Sequence, residues 1–135
     1  FSQAITVEEA KAEADFVLSC IEGYDITYPV VFDWETVNSA SARTNGLDTD
    51  TLTRCAQTFC DTVAAAGYKP MVYFNSRAGY LHYDLSRLTG YDFWYAQYYK
   101  IPSFYYNFHM WQYTSGGKVS GISGSVDMNI CFKRY

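Results

Sequence analysis

Strand-like apolar runs alternate with segments of helical periodicity over the first hundred residues, and this alternation predicts an α/β fold with parallel strands joined by helical crossovers. Two further observations refine it. The helical pattern stops after Tyr98, so the last two strands should follow one another without an intervening helix. The 135 residues, nearly half of them apolar, suffice to bury a core, and no internal repeat or low-complexity linker divides them. One domain over residues 1–135 is therefore expected, built either on an open doubly wound sheet or on a barrel.

The elements follow in order. Thr6-Val7-Glu8-Glu9 has the form of a capping box, in which the Thr6 hydroxyl accepts from one orphan amide and Glu9 reaches back to another. Val7, Ala10, Ala14, Val17, Leu18 and Ile21 then recur at helical spacing until Gly23. Residues 28–35 read as a strand, followed by a polar Ser/Asn/Gly loop from Asn38 to Asp48. Leu52, Cys55, Ala56, Phe59, Cys60 and Val63 mark a second helix, stopped at Gly67. A strand over Lys69–Asn75 has Pro70 at its start, where a missing N–H is tolerated. A weaker helical stretch runs from about Arg77 to Leu88, and Tyr91–Tyr98 reads as the third strand. Phe108–Thr114 and Ser125–Cys131 complete the set, joined by the glycine-rich segment 115–124 as a loop or small hairpin.

The chemistry concentrates where Pro29-Val30-Val31-Phe32-Asp33-Trp34-Glu35 ends. Side chains alternate along a strand, so Asp33 and Glu35 share one face and Phe32 and Trp34 the other. Their Cβ atoms should lie roughly 6–7 Å apart at about 3.3 Å per residue, close enough to act on one glycosidic bond or for one charge to raise the other's pKa. In parallel α/β architectures reactive residues gather at the carboxyl ends of strands, a rule also met by Tyr73 and Asn75, the Trp94–Tyr98 segment, Gln112 and Asp127. The fourteen tyrosines, nine phenylalanines and three tryptophans can either fill a core or line a groove that meets sugar rings.

Other chemistries find little support. A net charge of −4 without any Lys- or Arg-rich run gives no footprint for nucleic acid or an anionic membrane. No apolar stretch approaches the roughly 18 residues of a membrane span, and no charged-then-apolar leader opens the sequence. Cys20, Cys55, Cys60 and Cys131 form no Cys-x-x-Cys knuckle, and His82 and His109 stand in no ligand-spaced motif, so no metal or other cofactor is expected. Free thiols are the expected state, with a bridge from Cys20 to Cys55 or Cys60 as the alternative. There is no Gly-x-Ser-x-Gly elbow and no phosphate-cradling loop.

Five segments in order resemble the lysozyme-type muramidases of glycoside hydrolase family 25. They are Pro29–Glu35, Val72-Tyr73-Phe74-Asn75, Phe93-Trp94-Tyr95-Ala96-Gln97-Tyr98, Met110-Trp111-Gln112-Tyr113-Thr114 and Gly121–Asn129. The resemblance implies an irregular TIM-like β/α barrel whose last strands lack helices. It also implies cleavage of the β-1,4 bond between N-acetylmuramic acid and N-acetylglucosamine in bacterial peptidoglycan. Glu35 would be the general acid, needing a raised pKa, and Asp33 would stabilise the oxocarbenium-like state or position the substrate's acetamido group. Asp127, Tyr73, Asn75, Trp94, Tyr98, Trp111 and Gln112 would bind substrate, although a one-residue change of strand register turns any of the last four from cleft to packing. The implied setting is the cell wall, reached by secretion or by release from a bacterial or phage producer.

Relative to the family pattern, the sequence begins at the tail of a third strand. The front strands, one of which carries a further aspartate of the cleft, are expected to be missing. A partial barrel of five strands would expose two sheet edges. Either a longer gene product or a partner chain, most simply a second copy in a symmetric homodimer, is expected to cover them. A catalytically impaired fragment acting as a glycan-binding protein is the alternative function.

Overall fold

The computed structural model describes residues 1–135. The elements are α1 (Val7–Ile21), β1 (Val30–Asp33), α2 (Thr49–Ala65), β2 (Pro70–Asn75), α3 (Ser76–Leu81), a 3-10 turn at Leu85–Arg87, β3 (Asp92–Ala96), β4 (Met110–Gly117) and β5 (Val126–Cys131). The strands form one sheet in the order β1-β2-β3-β4-β5. β1 to β4 are parallel and β5 returns antiparallel to β4. This is a curled half-barrel with helices at its first crossovers, as the alternating pattern and the family resemblance imply.

The caps account for the helix boundaries. Thr6 accepts from the Glu9 amide at 3.2 Å, while the Glu9 carboxylate reaches back to the Ile5 amide at 2.9 Å. Asp48 caps α2 through the Thr51 amide at 2.7 Å. Gly67, with φ of +88°, turns the chain out of α2 into β2, a conformation that side-chain-bearing residues rarely take. Ala10 and Ala14, both fully buried, let α1 approach α2 closely.

The core lies between the sheet and its helices. Phe32 packs on Phe59 of α2 at 5.4 Å between ring centroids. Phe74 meets Phe93, Phe104, Tyr83 and Tyr95 at 5.2 to 6.3 Å. Phe104 and Tyr95 stack at 4.7 Å. Gly79 is required beside this cluster, because a Cβ there would lie 2.9 Å from the Phe74 ring and 3.0 Å from Phe104. Part of the aromatic richness therefore fills the core, while rings such as Tyr98, Tyr99, Tyr105 and Tyr106 remain exposed.

Three boundaries differ from the sequence expectation. β1 ends at Asp33, so Trp34 and Glu35 continue beyond the ladder. The expected helix over Arg77–Leu88 breaks after Leu81 into a separate 3-10 turn at Leu85–Arg87, where Asp84 caps through the Ser86 amide and its own amide bonds the Thr53 hydroxyl. β4 runs on through Gly117 into the glycine-rich segment, with irregular pairing to β5 between Gln112 and Gly117.

The two sheet edges are β1 and β5. The outer edge of β1 is met only by the first residues, where the Ser2 amide donates to the Asp33 carbonyl at 2.7 Å. No helix is long and apolar enough to cross a membrane, and all four cysteines are free.

Candidate active site

The site forms at the carboxyl ends of the parallel strands. Paired residues of adjacent strands share a face, so the register Asp33 with Tyr73 and Tyr73 with Trp94 sets these three in one row. Ala96, Gln112 and Asn129 form the next row by the same pairing. The intervening residues Phe32, Phe74, Tyr95 and Trp111 point to the helix side.

Beyond β1 the alternation persists. Trp34, only 2 % exposed, is held between His82 and Tyr83 at 5.4 and 6.2 Å. That anchor turns Asp33 and Glu35 to the opposite, cleft side. The Asp33 carboxyl is pushed up to about 6 by burial, reinforced by the Glu35 charge and opposed by the amino group of Phe1. Its Oδ1 is buried without a hydrogen-bond partner, an arrangement that favours the neutral carboxyl. Beside Glu35 lies a cavity of about 390 Å³ lined by Phe1, Ser2, Gln3, Glu35, Thr36 and Val37.

A hydrogen-bonded row faces these acids. The Tyr73 and Tyr98 hydroxyls both donate to Gln112 Oε1, at 3.1 and 2.7 Å. Gln112 Nε2 donates to Asp127 Oδ2 at 3.2 Å. The Trp94 indole packs edge-on against Tyr73 at 4.9 Å and donates to Asn129 Oδ1 at 2.9 Å. Burial, and then the Glu35 charge, raise the Tyr73 hydroxyl far above the ordinary tyrosine value, so it stays a neutral phenol. Burial likewise raises Tyr98, with the Asp127 and Glu35 charges adding to it against a hydrogen bond from Ser115.

The structure thus brings together Asp33, Glu35, Tyr73, Trp94, Tyr98, Gln112 and Asp127. Of the remaining sequence candidates, Asn75 is in register with Ala96 of the cleft row but its side chain is engaged in a cap, and Trp111 faces away. Asn75 caps α3 through the Ala78 amide at 3.0 Å, as a short polar side chain at a strand-to-helix junction commonly does. Trp111 lies on the helix face, 8 % exposed, with its indole N–H donating to the Gln97 carbonyl at 2.9 Å. Because Gln112 faces the cleft, its strand neighbour must face away. Asn129 is the residue that sequence reasoning passed over. It stands two positions after Asp127 on the same strand, and that spacing is the signal that could have found it.

No three His, Cys, Asp or Glu side chains converge as a metal site. His109 is engaged structurally, accepting from the Phe93 amide at 3.1 Å and lying 3.4 Å from Asp92, which also pairs with Lys133 at 2.7 Å.

Several solved structures share this fold. The CTP1L endolysin superposes with a TM-score of 0.78 at 32% identity, covering 97% of this chain and 44% of that one. The modular autolysin LytC from Streptococcus pneumoniae gives 0.75 at 27% identity, over 93% of this chain and 31% of that one. The modular Cpl-1 endolysin, solved in complex with a peptidoglycan analogue, gives 0.73 at 25% identity, over 96% of this chain and 36% of that one. The chain therefore spans less than half the length of each of these relatives. No curated protein sequence matches it. The family model for glycosyl hydrolases family 25 matches residues 1–122, and with the half-barrel and its carboxylate rim this establishes that the chain belongs to glycosyl hydrolase family 25.

Proposed function

We propose that the chain is the cleft-bearing part of a peptidoglycan hydrolase, a glycosidase that cleaves the β-1,4 bond between N-acetylmuramic acid and N-acetylglucosamine. The observation that carries the reading is the pair at the end of β1: Glu35 beside a cavity, and Asp33 with a buried carboxylate oxygen that lacks a donor. Glu35 acts as general acid, giving its proton to the leaving glycosidic oxygen. Asp33, once ionised, accepts from the substrate's acetamido N–H and so aligns that group to stabilise the developing oxocarbenium charge. Tyr73, Tyr98, Trp94 and Asp127 form the wall that meets the sugar. Peptidoglycan as substrate is supported by family membership and by the cell-wall enzymes among the structural relatives, and it implies a protein secreted or released to the wall.

Digestion of purified peptidoglycan tests this. Glu35→Gln should lower cleavage by about 10²- to 10⁴-fold, the usual contribution of a positioned general acid. Because Asp33 must be ionised, activity should fall as pH drops through about 6. A folded protein that binds the glycan with or without Glu35 but never cleaves it would instead favour a binding role.

Pairing with a second copy is proposed along the edge of β1, which the Ser2 amide meets only at the Asp33 carbonyl. Sedimentation analysis should show a dimer, and a monomer at all concentrations would contradict that.

A further inference from the structure

We propose that Asn129 is a positioning residue for the Trp94 indole: it carries that ring across β4 and holds it as a platform for a sugar. The inference rests on the reading above, in which Trp94 belongs to the wall that meets the substrate.

Strand pairing sets the distance to be bridged. Trp94 on β3 lies opposite Met110 on β4, and Met110 lies opposite Cys131 on β5. Asn129 stands two residues before Cys131 on the same face, in the row of Gln112. β4 therefore separates the two side chains, a span of two strand spacings, roughly 9–10 Å on a flat sheet. The indole N–H nevertheless donates to Asn129 Oδ1 at 2.9 Å. Curling of the sheet brings its inner faces closer, and the bond directs the ring over β4 rather than out along β3. From β2, Tyr73 meets the same ring at 4.9 Å and an interplanar angle of 71°. The indole is thus held at two places, by packing on one side and by a hydrogen bond on the other.

The chemistry of the two groups fixes the orientation. An indole N–H only donates, so it must meet the amide oxygen, and the NH₂ of Asn129 turns away. Asn129 makes no other hydrogen bond within the chain, so its amide is committed to Trp94 alone. Trp94 is half-buried and Asn129 exposed. Without a sugar, water competes for the indole N–H, and the bond adds little to stability. A pyranose laid with its apolar C–H face on the ring excludes that water, and the bond then resists tilting of the platform. Asn129 therefore acts on sugar binding, not on the fold and not on proton transfer at Glu35.

The experiment compares the unaltered chain with Asn129→Leu, Asn129→Asp, Trp94→Phe and the double variant Asn129→Leu with Trp94→Phe, each checked by thermal unfolding. The probe is a soluble tetrasaccharide of alternating N-acetylglucosamine and N-acetylmuramic acid. Cleavage gives kcat and KM, and calorimetry on the Glu35→Gln background gives Kd while the sugar persists. Nitrogen-edited NMR follows the indole N–H of Trp94, identified by its absence in Trp94→Phe. That signal should shift and exchange faster with water in Asn129→Leu, and persist in Asn129→Asp, whose carboxylate still accepts. Asn129→Leu should raise Kd and KM by about 5-fold, the worth of one ordinary hydrogen bond, with kcat and unfolding little changed. Asn129→Asp keeps an acceptor and loses both donors, so it should recover most of that loss. Adding Asn129→Leu to Trp94→Phe should cost nothing more, because a ring without an N–H leaves Asn129 nothing to hold. An unchanged Kd in folded Asn129→Leu, an equal loss in Asn129→Asp, or an additive loss in the double variant overturns the proposal. Cleavage by the unaltered chain would then leave the hydrolase reading standing. If the tetrasaccharide binds in the expected pattern but is never cleaved, the hydrolase reading fails and the positioning role stands. No binding by any of the proteins overturns both.

Discussion

The same strands carry two unlike faces. Toward the helices, Phe32, Phe74, Tyr95 and Trp111 are buried among other rings and make few directional demands. Toward the cleft, one position along, Tyr73, Trp94 and Gln112 meet polar partners at fixed distances, and the Asp33 carboxyl has an oxygen left without any. Alternation along a strand lets one backbone serve both, so that the apolar face supplies stability and the polar face is free to hold groups in costly states. The raised Asp33 carboxyl is such a state.

Substitutions one residue apart should break the symmetry between the faces. Phe74 is fully buried, so Phe74→Ala should lose about 3–5 kcal/mol of unfolding free energy, a large share of what a small domain has. Its neighbour Tyr73→Phe keeps the ring against Trp94 and removes only the hydroxyl that bonds Gln112, so it should cost about 1 kcal/mol while depressing cleavage far more. Chemical denaturation of both variants, read beside peptidoglycan digestion, checks the pair. Equal stability losses would mean that the faces are not divided in this way.

A smaller effect sharpens the comparison. Asp33 titrates at about 6 in the folded chain against an ordinary 3.8, so the folded state binds the extra proton between those values. Asp33 therefore costs no stability below the unfolded value, and the folded state loses ground as pH rises through about 6. At about pH 8, Asp33→Asn should gain about 1 kcal/mol, less than the shift converts to at 1.36 kcal/mol per unit because solvent still screens part of the carboxyl. Near pH 3.5 the gain should vanish. Unfolding measured at both values checks it, and the gain at the higher pH should accompany lost cleavage.

Much of this was legible in the sequence because local rules decided it. The α1 capping box and the glycine stop after α2 are set within a few residues, and the five strands are marked by composition and breakers. Asp33 and Glu35 could be paired because Trp34 between them had to point the other way. Trp111 and Gln112 were harder: both belong to one apolar-polar run, and only the pairing of β4 with β3 and β5 decides which of them enters the cleft. Asn75 read as a site residue from its place at a strand end, but the start of α3 claims its side chain. The break between Leu81 and Leu85 depends on a tertiary bond, the Asp84 amide to the Thr53 hydroxyl, that no local pattern announces.

The most direct test of the division between the faces is digestion of purified peptidoglycan by the unaltered chain and by Glu35→Gln, with mass analysis of the products and thermal unfolding of both proteins. The expected result is new reducing ends on muramic acid from the unaltered chain, nearly absent with Glu35→Gln, and indistinguishable unfolding of the two. Equal cleavage by both proteins, or loss of cleavage only in step with loss of fold, would contradict it.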